Sequence, residues 1–146
     1  MFRKILLPVD GSEPAMRALR VGADVAGRYG AALTVLCVYR HHGPLESSLS
    51  MVRPSDPVPP DRALSDFAHE VVQAAAAELD RLGAVNVHTV VKRGHPARTI
   101  VAYARDNAID LIVLGSRGLG DVEGFLLGSV SHKVTSLADC PCLTVK

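Results

Sequence analysis

The sequence predicts an α/β domain: a five-stranded parallel sheet in the order 3-2-1-4-5 with helices on both faces. Three observations carry this. Short apolar runs of strand length alternate with longer stretches of helical periodicity along the 146 residues. Several runs are apolar at consecutive positions, as strands buried on both faces of a parallel sheet are. The apolar supply is aliphatic, with aromatics at 4% and no Trp. Strands that alternate with helices are joined by right-handed crossovers, which lay helices over both sides of the sheet. By length the chain reads as a single domain, residues 1–146, able to bury about two-thirds of its unfolded surface.

The first strand is the apolar run Lys4 to Val9, stopped by Asp10-Gly11-Ser12. Ala15, Ala18, Leu19, Gly22, Val25, Ala26 and Tyr29 then recur on one helical face, with Ser12 or Asp10 as cap and Gly30 as terminator. Ala32 to Tyr39 forms the second strand. From Arg40 to about Asp61 five prolines exclude regular structure, and the stretch reads as a long surface loop. A second helix spans about Arg62 to Leu82, with Leu64, Ala68, Val71, Ala75, Leu79 and Leu82 inward and Gly83 ending it. Val85 to Val91 alternates as a third strand. Pro96 suits the first turn of a third helix, which ends near Asn107 with Ile100, Val101 and Ala104 inward. Asp110 to Leu114 is the fourth strand, Ser129 to Ala138 a short helix, and Cys142 to Val145 the fifth strand. The layout is Rossmann-like.

Composition excludes several classes. Sixteen basic against fifteen acidic residues give a net charge of +1, so no basic excess points to nucleic acid. No apolar run reaches membrane-spanning length, and the N-terminal run is too short for a signal peptide. A cytoplasmic location is the expectation. Cys37, Cys140 and Cys142 are an odd count without framework spacing, so reduced structural thiols are expected. His41-His42 has no second ligand pair at zinc spacing, so no metal site is expected there.

In open parallel sheets ligands bind outside the carboxyl ends of the strands, where strand order reverses. Asp10, the Val38-Tyr39 end of strand two and Gly115 stand there. Strand four runs into a segment with five glycines in fourteen residues, Gly115 to Gly128, followed by a helix opening at Ser129. Glycine permits positive φ and close backbone approach, so successive N–H groups can line a concavity. The helix N-terminus adds free donors that suit phosphate, with Ser129 and Ser131 hydroxyls beside it and Arg117 and Lys133 as nearby charges. A mobile surface loop is the plainer reading of these glycines. Asp10 has one as well, a turn or cap residue, and Arg117 another, a solvated charge. His95 reads as a turn residue and His132 as an outward one.

The spacing Gly115-x2-Gly118-x9-Gly128-Ser129 resembles the G-x2-G-x9-G-[S/T] nucleotide signature of the ATP-binding universal stress proteins. Ile5 to Ser12, Gly94-His95-Pro96, Asp110 to Gly115 and Leu127 to Ser131 resemble that family too. The resemblance implies an ATP-binding stress-response or signalling protein, with Mg²⁺ or Mn²⁺ accompanying the nucleotide through phosphate oxygens and water. It implies that Asp10 accepts from ribose hydroxyls, that Pro8, Val9 and Val38 lie near adenine, and that Gly115 lies near the ribose. Arg117 would then stand beside the phosphates, with Gly118, Gly128, Ser129, Val130 and Ser131 cradling them. It further implies a homodimer through the C-terminal strand, an unblunted sheet edge.

An enzyme is the competing class: a slow ATPase or a nucleotidyl or phosphoryl transferase of the same superfamily. Phosphoryl transfer needs a residue to position the nucleophile, and only Asp121 and Glu123 in the loop are candidates. A dinucleotide G-x-G-x-x-G after strand one, a P-loop and a G-x-S-x-G elbow are all missing. A receiver's acidic cluster is missing too, since strand three runs into Lys92-Arg93.

Overall fold

The computed structural model describes residues 1–40, 60–117 and 127–146. Its strands are β1 (Lys4–Pro8), β2 (Ala32–Tyr39), β3 (Val87–Arg93), β4 (Leu111–Gly115) and β5 (Cys142–Val145). Its helices are α1 (Glu13–Tyr29), α2 (Pro60–Arg81), α3 (Pro96–Asp106) and α4 (Ser129–Leu137). The strands form one parallel sheet in the order β3-β2-β1-β4-β5. This is the α/β architecture expected from the alternation of runs. No helix among the described residues is long and apolar enough to cross a membrane.

Side-chain parity sorts each central strand between two cores, because successive residues of a strand point to opposite faces. Ile5, Leu7, Leu33, Val35, Cys37, Leu111 and Val113 face α1 and α2, and pack on Ala18, Leu19, Val72 and Leu79. Leu6, Leu36, Ile112 and Leu114 face α3 and α4, and pack on Ala97, Ile100, Ala104 and Val134. Strand order reverses at β1, whose neighbours are β2 on one side and β4 on the other. The crossovers change face at that point.

Local signals set most boundaries. Ser12 caps α1, its Oγ accepting from the Ala15 N–H at 3.3 Å, and Gly30 ends it in the left-handed region at φ 64°. At the amino edge, the Asp110 carboxylate accepts from the Arg3 and Lys4 N–H groups at 2.8 and 2.9 Å, tying β1 to the start of β4. These two bonds, with the flanking positive charges, hold its pKa below the usual carboxylate range.

Three expectations shift. The third strand begins at Val87 rather than Val85, because Asn86 takes φ 58° and turns the chain, leaving Val85 exposed. Leu82, expected inward, is 41% exposed in the turn after α2. The expected loop ends earlier than Asp61, since Pro60 and Asp61 already belong to α2. Residues 41–59 of that loop, His41 and His42 among them, lie outside the described residues.

Candidate functional site

A cavity of about 270 Å³ opens at the carboxyl edge of the sheet, beside the reversal at β1. Pro8, Val9 and Asp10 enter it from the end of β1, and Leu36, Val38 and Arg40 from β2. Leu114, Gly115 and Arg117 enter from β4. Pro96 and Ile100 of α3 close one side, and Ser129, Val130 and Ser131 of α4 another, with Ala15 from α1. The walls are apolar where Leu36, Val38, Ile100 and Leu114 meet. Polar groups converge from Asp10, Arg117 and the start of α4.

Gly115 shows why glycine stands at the end of β4. A Cβ there would lie 2.8 Å from the Pro14 carbonyl carbon and 3.0 Å from the Ala15 nitrogen. Both are backbone atoms of the first turn of α1. Only a residue without a side chain lets that turn close on the strand.

Nine of the eleven sequence-derived site residues line the cavity: Pro8, Val9, Asp10, Val38, Gly115, Arg117, Ser129, Val130 and Ser131. Gly118 lies outside the described residues, as do Asp121 and Glu123. Gly128 is not a wall residue. It is the N-cap of α4 with an ordinary extended backbone, φ −69°, so no positive φ demands glycine there. Its N–H donates to the Ser116 carbonyl at 2.6 Å, so that donor is engaged within the chain. The Ser131 hydroxyl is also committed. It is buried and donates to the Gly115 carbonyl at 2.5 Å, pinning α4 to the end of β4.

What remains at the start of α4 is the first turn itself. The helix has no side-chain cap, and its first capping bond runs from the His132 N–H to the Gly128 carbonyl at 2.9 Å. In a helix the N–H groups before that bond, here of Ser129, Val130 and Ser131, lack intrahelical partners and carry the positive end of the dipole. Asp10 does part of the plainer job as well: its Oδ1 accepts from the Ser12 N–H at 2.9 Å, while Ser12 caps α1. Burial, with the Asp10 charge added, pushes the Cys37 thiol up to about 11. The three cysteines are free thiols, Cys37 buried and the other two half-buried, in line with structural roles.

Sequence reasoning missed Ala15, Leu36, Arg40, Pro96, Ile100 and Leu114 as wall residues. Parity gives a signal for two of them, since Leu36 shares a face with Val38 and Leu114 precedes Gly115. Arg40 was absorbed into the Pro-rich stretch, although it directly follows a strand end. Lys133 is exposed on α4 and does not line the cavity. His95, the α3 N-cap just before Pro96, has a buried Nδ1 without a hydrogen-bond partner. Burial, then Lys133, Arg40 and Arg98, lowers its pKa.

A doubly wound α/β domain with a small-molecule cavity at its switch point defines the class of protein. Within that class, the chain belongs to the universal stress protein family, whose family model matches residues 1–146. It is 32% identical over 152 residues to universal stress protein YxiE of Bacillus subtilis, covering all of both chains. Among solved structures it is similar to hypothetical protein MJ0577, with a TM-score of 0.80 and 28% identity over all of this chain and 96% of that one. Two further structures share the fold. A universal stress protein in complex with cAMP has a TM-score of 0.73 at 23% identity, covering 99% of this chain and 97% of that one. The Archaeoglobus fulgidus protein in complex with dAMP has a TM-score of 0.70 at 21% identity, covering 100% and 98%.

Proposed function

We propose that this chain is a single nucleotide-binding domain that binds ATP in the cavity at the β1/β4 switch point and serves as a stress-response or signalling protein. The observation that carries the reading is the wall chemistry. An apolar slot sized near the roughly 300 Å³ lower end of small-molecule pockets is flanked by Asp10 on one side and by Arg117 and the uncapped start of α4 on another. Structural relatives in complex with cAMP and dAMP support nucleotide as the ligand class.

In this reading Val38, Leu36, Pro8 and Val9 hold adenine, and Asp10 accepts from the ribose hydroxyls next to Gly115. Arg117 and the N–H groups of Ser129, Val130 and Ser131 meet the phosphates, and the signature spacing assigns Gly118 to them as well. Gly128 acts one step back, by tying the start of α4 to Ser116. Among the described residues no three His, Cys, Asp or Glu side chains cluster to hold a metal, so Mg²⁺ or Mn²⁺ would be bound through phosphate oxygens and water. Asp10, the carboxylate among the described wall residues, is given to the ribose in this reading, and any hydrolysis is slow, well under about 10 s⁻¹. The same reading has the chain cytoplasmic and paired as a homodimer through β5, an edge strand that presents Leu143 at 39% exposure.

Calorimetric titration with ATP, AMP and adenosine tests the ligand, using the parent and Asp10→Ala. The parent binds ATP, and the variant loses at least about tenfold, a charge-assisted hydrogen bond being worth about 1.5–3 kcal/mol. The variant also loses preference for ribose over deoxyribose nucleotides. A parent that binds neither ATP nor adenosine at millimolar concentration sinks the reading. Light scattering at tens of micromolar tests the dimer, and phosphate release from ATP-loaded protein tests the rate.

A further inference from the structure

Helices α1 and α3 open in opposite ways. α1 begins on Ser12, whose Oγ accepts from the Ala15 N–H, and carries Glu13 in its first turn. α3 begins on His95, which makes no side-chain cap bond, and its first turn holds no acidic residue. Arg98 stands in that turn instead, a cation at the positive end of the helix dipole. The start of α3 therefore rests on its backbone and on the ring of His95.

That ring is poorly placed to carry a charge. His95 as a whole is half-buried, but its Nδ1 is fully buried and has no hydrogen-bond partner. An orphaned acceptor is tolerated there more readily than an orphaned N–H, so the neutral ring carries its proton on Nε2. Protonation would put a charged N–H at a buried position with nothing to accept it. The charged groups described as acting on the ring oppose protonation too. They are Lys133 of α4, Arg40 just past β2 and Arg98 of α3, and after burial they lower its pKa further. The orphaned Nδ1 sets the direction by itself, and the cations add to it.

We propose that the start of α3 is an acid-sensitive part of the cavity wall, where protonation of His95 opens the first turns of the helix locally. Pro96 directly follows His95, Ile100 lies one turn on, and both line the cavity. The His95 carbonyl accepts from the Thr99 N–H at 2.9 Å, so moving His95 out to solvent breaks the first bond of the helix. In the open form the ring takes up a proton below its ordinary value of 6.5, and in the closed form only at lower pH. The closed form is therefore fully favoured above about pH 6.5 and loses ground as the pH falls below it. Opening of this kind is local, confined to one poorly supported helix end. It requires no ligand, so it stands apart from the nucleotide reading.

Native-state amide hydrogen exchange on the full chain tests this, with protection factors compared at pH 7.5 and pH 5.5 in the parent, His95→Asn and Lys133→Gln. Asparagine is a good helix cap that takes up no proton. Lys133 is exposed on α4, and its removal takes away the strongest of the charges acting on the ring. In the parent, protection at Thr99, Ile100 and Val101 should fall at least about threefold between the two pH values, while Leu19 in α1 changes less. The fall should be lost in His95→Asn and should shrink in Lys133→Gln. Nitrogen NMR of the imidazole should show His95 as the Nε2–H form at pH 7.5. A parent-like fall in His95→Asn overturns the proposal, and so does a His95 already protonated at pH 7.5. An equal fall at Leu19 overturns it as well, since His95 would then loosen the whole domain. Should His95→Asn fail to fold, an undiminished fall in Lys133→Gln is the overturning result.

Discussion

The two faces of the sheet are built from the same kinds of residue and do different work. Helices of 17 and 22 residues cover the first face, and helices of 11 and 9 residues the second. Among the described residues the first core holds eighteen buried side chains and the second nine. The cavity opens on the second side, between the start of α4, α3 and the carboxyl ends of β1, β2 and β4. One face is therefore filled to give stability. The other leaves its upper end unfilled by the described residues, and the ends of β1, β2 and β4 become walls.

The largest effects should come from truncating one buried residue on each face. Leu19 is fully buried between α1 and the sheet, and Leu19→Ala should cost about 2–5 kcal/mol in urea unfolding, through lost transfer energy and a cavity that cannot collapse. Ligand affinity should stay as in the parent. Ile100 is nearly as buried but already borders the hollow, so water can enter the space it leaves. Ile100→Ala should cost less, about 1–2 kcal/mol, and should weaken ligand binding. Equal stability losses would mean that the hollow face is packed as tightly as the other, and the contrast would fall.

The sequence carries the filled face more legibly than the open one. Periodicity alone identifies Ala15, Ala18, Leu19, Ala68, Val71, Ala75 and Leu79, because each helix repeats its apolar stripe over several turns. The bounds of β2 and β5 are also those expected from the apolar runs. What the pattern hides are commitments between distant residues. Gly128 invites a positive φ and a free N–H, yet its N–H is bound to Ser116 and its φ is ordinary. Ser131 offers a hydroxyl, yet Gly115, sixteen residues away, takes it. Alternation cannot reveal the turn at Asn86, since Val85 continues the strand pattern that the backbone has left. The site was legible as a place, from the strand ends and the glycines, and less so as a set of available donors.

A smaller effect separates two buried glycines that look alike in sequence. A methyl at Gly22 would meet the Cδ2 end of the Leu7 side chain. The Leu7 side-chain end must shift within the core, a cost offset by the about 1 kcal/mol of helix propensity that alanine gains over glycine, so Gly22→Ala should come out within about 1 kcal/mol of the parent. At Gly115 the methyl meets the backbone of Pro14 and Ala15, which can yield only if the start of α1 moves. Gly115→Ala should cost about 1–3 kcal/mol and reduce ligand affinity as well. Thermal unfolding and calorimetry on the two variants decide it. A destabilised Gly22→Ala beside a parent-like Gly115→Ala would reverse the account of which neighbour can give way.

The smallest effect lies on the outside of the filled face, where Glu78 joins its two helices. From α2 it accepts from Arg81 of the same helix, with Nε and Nη2 both at 2.9 Å, and from Arg20 Nε of α1 at 2.9 Å. The hydrogen bond from Arg81, then that from Arg20, lowers its pKa from 4.5 to about 2. The folded state thus holds the carboxylate ionised at a pH where the unfolded chain has taken up a proton. Its contribution to stability is fully present above about pH 4.5 and is lost as pH falls through about 2. Glu78→Gln removes the charge at every pH. Near neutrality it should therefore unfold slightly earlier than the parent, since ion pairs to solvent-exposed arginines are worth little. As the pH is lowered toward 2 the two unfolding midpoints should converge. Chemical unfolding at steps from pH 6 to pH 2 reads this directly. A gap that stays constant down to pH 2 would mean that the arginines hold Glu78 no more firmly than solvent does, and that α1 and α2 are joined by their apolar stripes alone.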